Sequence, residues 1–176
     1  MKTLRVGVVL FLAMTFAAPL LSFAADEFSL SITTNGTYGL PGYFVPGTTL
    51  EVSASIENPG LPAVVDFYFG IQLPDPCGDP GDTVVFFTDP LSFASGVGSA
   101  ANPATLQPIV AGVDLTTPFT FNRPTFLSYS WTGVECGWHL VFLAAVKSGA
   151  LADNSIDPGD ILALSTARVW FDPWAY

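Results

Sequence analysis

The sequence predicts an all-β chain, folded as a sandwich of antiparallel sheets, and three observations predict it. One segment alternates strictly between apolar and polar residues, another is apolar on both faces, and Pro-Gly pairs punctuate the chain at five places. No window shows the 3.6-residue periodicity of an amphipathic helix.

In the alternating segment, Leu50, Val52, Ala54 and Ile56 interleave with Glu51, Ser53, Ser55 and Glu57. Period two puts one set on a core and the other in water. Val65, Phe67, Phe69, Ile71 and Leu73 form a second apolar row, interleaved with Val64, Asp66, Tyr68, Gly70 and Gln72. Residues 138–146 are apolar on both faces apart from His139, as a central strand requires. Residues 28–34, 84–88, 119–121, 127–131 and 161–171 complete about eight strands. The Ser/Ala/Gly-rich stretch 91–107 is expected to be a crossover loop between the sheets. Pro-Gly at Pro41, Pro46, Pro59, Pro80 and Pro158 marks turns, because Pro presets φ and Gly accepts a positive φ at the next position. Short strands, frequent turns and one cysteine pair together indicate an immunoglobulin-like antiparallel β-sandwich of about seven to nine strands. The rival, a small outer-membrane barrel, needs longer alternating strands and tolerates fewer prolines.

The N-terminus reads as a cleavable secretory signal. Lys2 and Arg5 precede an uncharged apolar stretch that ends in small residues around Ala24 and Ala25. The expected organisation is therefore a signal peptide over 1–25 and a single β-sandwich domain over 26–176. Pro19 and the short apolar core argue against an uncleaved anchor, and later apolar runs are all interrupted by Pro, Gly or Asp. A secreted, periplasmic or cell-surface address follows, without stable membrane insertion after cleavage. The processed chain would keep Arg123, Lys147 and Arg168 against fifteen acidic residues, hence a net charge of −12. Such a field repels nucleic acid.

Cys77 and Cys136 are the only cysteines. In an exported protein an even pair is most simply a disulfide. Were the two on facing sheets, the bond would clamp the sandwich.

Several runs resemble a group of small secreted bacterial immunoglobulin-like β-sandwich domains of uncharacterised function. They are Pro46-Gly47-Thr48-Thr49-Leu50-Glu51-Val52, then Asn58-Pro59-Gly60, then the run from Val65 to Asp75, and finally the run from Asp157 to Ser165. The resemblance implies fold and compartment and brings no catalytic residue with it. The cysteine pair departs from that pattern.

Candidate chemistry is sparse. The single histidine, His139, sits inside an apolar strand, and no G-x-S-x-G elbow accompanies it, so a secreted hydrolase is a remote reading and no catalytic residue is assigned. Calcium is the one cofactor considered. Asp75, Asp79 and Asp82 flank the Cys77 turn, while Asp153, Asp157 and Asp160, with Asn154, precede the last strand. The second group departs from an EF-hand, and Asp and Asn are also ordinary turn formers. Aromatics in polar surroundings raise ligand or partner binding: Tyr38, Tyr43 and Phe44 in a Gly/Pro-rich loop, and Trp170, Trp174 and Tyr176 at the C-terminus. Asn35-Gly36-Thr37 fits the N-glycosylation pattern. The expected role is a non-enzymatic structural or protein-interaction module of the envelope or extracellular space. A carbohydrate- or calcium-binding module is the alternative, and clustering of the aromatics on one face would favour sugar.

Overall fold

The computed structural model describes residues 27–89, 91–92, 94–132, 135–155 and 157–174. The predicted signal peptide and Tyr176 lie outside these residues. Twelve strands follow in order: β1 (Ser29–Thr34), β2 (Gly36–Thr37), β3 (Leu40–Pro41), β4 (Tyr43–Phe44), β5 (Thr49–Asn58), β6 (Val64–Pro74), β7 (Pro80–Phe87), β8 (Ser95–Ser99), β9 (Val110–Asp114), β10 (Phe119–Ser130), β11 (Gly137–Lys147) and β12 (Ile161–Phe171). The only helical pieces among the described residues are 3-10 turns at Pro103–Thr105, Ala150–Asp153 and Pro158–Asp160.

Two sheets carry the fold. The smaller has the order β1-β5-β10, and the larger has β4-β12-β11-β6-β7-β8, with β9 also on β6. After the short β4 excursion to the larger sheet, the chain changes sheet between β5 and β6, between β9 and β10 and again between β10 and β11, the Greek-key connections of an immunoglobulin-like sandwich. The sheets remain open, which excludes the barrel alternative for these residues. Every long pairing is antiparallel; the short β4 strand alone runs parallel to β12.

Local sequence explains the layers. In β5 the apolar set Leu50, Val52 and Ala54 is buried, while Glu51 and Glu57 are exposed. β6 and β11 are buried on both faces. Their inward set, including Phe67, Phe69, Val141 and Leu143, joins the main core between the sheets. Their outward set builds a second cluster, in which Tyr68, Phe142, Ala144 and Val146 meet Val84, Phe86 and Leu151. Ala100, Leu106 and Ala150 pack over that cluster as a third layer. Gly70 makes this possible, because a Cβ there would lie 2.8 Å from the Phe142 ring.

This corrects the expectation for 91–107. The segment does not cross between the sheets. It contributes β8 to the larger sheet and then folds back over the sheet's outer face. Turn chemistry is also divided. Gly42, Gly47 and Gly60 take the positive φ expected after Pro, whereas Pro80-Gly81 opens β7 and Pro158-Gly159 forms a 3-10 turn.

Cys77 and Cys136 are disulfide-bonded, with Cα atoms 4.7 Å apart. The facing-sheet clamp is not what forms. β6 lies between β7 and β11, so the β6–β7 turn falls beside the start of antiparallel β11, and the bond ties neighbours within one sheet.

Candidate functional site: an aromatic groove

Sheet register places three aromatic residues in one row. Trp138 of β11 is the cross-strand partner of Trp170 of β12, and Trp170 is the parallel partner of Tyr43 of β4. Because side chains alternate along a strand, the next residues, His139, Phe171 and Phe44, turn inward and are buried in the core. The three outward rings span roughly 10 Å, two strand spacings. With Pro41 and Gly42 they line an open groove of about 270 Å³. The Trp138 and Trp170 rings pack at 5.1 Å with a 54° tilt.

The groove is held from several sides. Trp170 donates its backbone N–H to the Gly42 carbonyl at 2.6 Å, and Asp172 N–H reaches the Phe44 carbonyl at 3.0 Å, which fixes β4 on β12. Gly42 has φ +75°, and a Cβ there would fall 2.4 Å from the Arg168 carbonyl oxygen, so only glycine permits this approach. The Tyr43 hydroxyl donates to Asp172 Oδ2 at 2.9 Å. That hydrogen bond, with burial and the carboxylate's charge, raises the phenol above its ordinary pKa and keeps it a neutral donor. On the other side, Trp138 N–H binds the Gly78 carbonyl at 2.9 Å beside the Cys77–Cys136 bond.

Of the aromatics singled out by sequence, Tyr43 and Trp170 thus meet in the groove, whereas Tyr38 and Trp174 are 76% and 69% exposed. Phe44 must be corrected. It is fully buried and packs on Phe171 at 5.5 Å, because it is the inward neighbour of Tyr43. Trp138 is the member that sequence reading missed, absorbed into the apolar run of a central strand. Antiparallel pairing of the last two long strands, counted out from their connection, is the signal that would have found it.

The acidic candidates sit in turns, apart from Asp82, which lies near the start of β7. Asp75 N–H binds the Asp79 carbonyl and the Asp75 carbonyl accepts from Gly78; the Asp82 carbonyl accepts from Ala100. Asp153 Oδ1 accepts from Ser155 N–H, Asp160 N–H binds the Asp157 carbonyl, and Asp160 pairs with Lys147 at 3.5 Å. Among the described residues, no three His, Cys, Asp or Glu side chains group as a metal site. Asn35, the glycosylation candidate, spends both ends of its amide on β5, donating to the Thr49 carbonyl and accepting from Glu51 N–H.

His139 is 4% exposed and lies edge-on to Phe171 at 4.8 Å, with Nδ1 3.2 Å from the Gly137 carbonyl oxygen. Burial lowers its pKa, against the opposing influence of that carbonyl and of Glu135. Asp66 is the most enclosed carboxylate among the described residues, 6% exposed. It accepts from Gly112 N–H at 2.8 Å, Ser148 hydroxyl at 2.9 Å and Gly149 N–H at 3.0 Å. Burial pushes its pKa up, but these three donors prevail and hold it below the usual carboxylate range.

No protein-family model matches the chain, and no curated protein matches it. Among solved structures, the chain is similar to a CARDB domain from Pyrococcus furiosus, determined in complex with di-metal ions. The two share 11% identity, the match covers 88% of this chain and 98% of that one, and the TM-score is 0.37. The strand pairing within this chain itself defines its fold. No helix among the described residues is long and apolar enough to cross a membrane.

Proposed function

We propose that the protein is an exported, non-catalytic binding module that takes a glycan in the groove of Tyr43, Trp138 and Trp170. The observation that carries this reading is the row of three rings on one outer face. A sugar presents an apolar C–H face and a hydroxyl rim, and rings with polar edges suit both. The Asp172 carboxylate beside Tyr43 supplies an acceptor at the groove's end. Burial of the only histidine, the most available general base, in the core supports a role without catalysis. Export is supported by the N-terminal charge and apolar pattern.

The test is binding of the processed protein to a glycan array and to insoluble polysaccharides, followed by tryptophan fluorescence. Retention that is lost in Trp170→Ala and Trp138→Ala, with melting temperatures preserved, is the expected result. Absence of any glycan binding, or binding that survives both substitutions, would overturn it and return the groove to a protein-docking role.

A further inference from the structure

A second concavity lies away from the aromatic groove, between the two sheets. We propose that it binds the aliphatic tail of an amphiphile. The cavity measures about 400 Å³, within the range of small-molecule sites. The void beneath the third layer, by contrast, measures about 40 Å³ and is too small for such a ligand.

The floor consists of core residues. Ala54, Phe67, Phe126 and Leu143 line it and are 2%, 5%, 6% and 3% exposed. The mouth is formed by Val110, 40% exposed, and half-buried Phe121. Strand order explains why the core is open here. β10 is the last strand of its sheet, and its register on β5 shifts between Arg123 and Leu127, around Pro124. Across the gap, β9 continues for five residues only. The chain between β7 and β9 makes β8 and the third layer instead of a strand beside β10, so the inward rings of Phe119 and Phe121 face the cavity.

Lining chemistry selects the ligand. Among the described residues that line the cavity, Thr120 alone is polar. A peptide segment seated there would lose water from its amides without gaining partners, whereas a hydrocarbon tail needs none. The sheets stand roughly 10 Å apart, which admits a chain between them and not the edge of a second folded copy. The opening to solvent leaves a polar head in water, which distinguishes an amphiphile from a wholly apolar molecule.

The experiment is displacement of a fluorescent fatty acid from the processed protein by octanoate, dodecanoate and hexadecanoate, with dodecanoyl lysophosphatidylcholine in a parallel arm. Affinity should improve about fourfold for each methylene that enters the cavity, then level once it is full. Ala54→Leu, which raises the floor, and Val110→Glu, which charges the mouth at an exposed position, should each weaken binding at least tenfold. Val110→Glu should leave the melting temperature unchanged, so the conclusion does not depend on Ala54→Leu folding. Displacement by the fatty acids alone assigns a free tail, and displacement by the lysophospholipid assigns a lipid source. Affinity independent of tail length, or unaffected by Val110→Glu, overturns the proposal. So does a dimer in size-exclusion chromatography that Val110→Glu dissociates.

Discussion

Replacing Asp66 by Ala isolates a polar lock between strands and turns. Three donors converge on this carboxylate: Gly112 from β9, and Ser148 and Gly149 from the turn after β11. A hydrogen bond to a charged group contributes about 1.5–3 kcal/mol. All three donor residues lie at the surface, so water replaces part of each bond, and we take about 1 kcal/mol per bond. Asp66→Ala should therefore cost about 3 kcal/mol, or roughly 6–12 °C in melting temperature for a chain of this size. The pH dependence has a definite sign. The folded pKa is depressed, so the carboxylate's contribution is fully present above the unfolded value of about 3.9 and is lost as pH falls through the folded value. Thermal and urea melts of wild type and Asp66→Ala at pH 7 and again near pH 2–3 would read both quantities. A loss under about 1 kcal/mol at neutral pH, or a difference that does not narrow in acid, would refute the three-donor account.

Other expectations concern the sheet and the groove. Reducing Cys77–Cys136, which closes a separation of 59 residues, should lower stability by roughly 4 kcal/mol on the chain-entropy model and shift tryptophan emission, since Trp138 is anchored beside the bond; melts with and without reductant check both. His139→Leu should flatten the stability loss on acidification below about pH 6.5, because a buried histidine with a lowered pKa favours folding above its unfolded value and opposes it below. Gly42→Ala should weaken glycan retention by detaching β4 from β12, with most of the cooperative melt retained. Lys147→Ala should change stability by less than about 0.5 kcal/mol, because its pair with Asp160 is exposed on the lysine side; urea melts test it.

What could be seen beforehand follows the physics of each segment. β5 was visible because water on one face and core on the other impose an unbroken alternation. β11 was visible because only a central strand with both faces covered is apolar throughout. β8 was hidden in a Ser/Gly-rich stretch whose strand character comes from pairing with β7, not from its own side chains. The two-residue strands β2, β3 and β4 were hidden for the same reason. Residues 119–121 and 127–131 look like separate strands in the sequence, yet β10 passes through both as one strand with a break in register around Pro124. In the site, Tyr43 and Trp170 were found by residue type. Phe44 was misplaced and Trp138 missed because which side of a strand a ring takes depends on long-range register.

The third layer over the larger sheet has a consequence for motion. The main core draws on β1, β5, β10 and the inward faces of β6, β11 and β12, whereas the outer cluster is covered only by two 3-10 turns and the side chains of Ala100, Leu106, Ala150 and Leu151. Few apolar contacts give a low local opening free energy. Amide exchange should accordingly divide the larger sheet, with slow protons in β6 and β11 and faster ones in β8 and in the segment that folds over Phe86. The outer turns would then lift and close as a unit of their own, exposing a strip of hydrocarbon surface while the sandwich beneath stays folded.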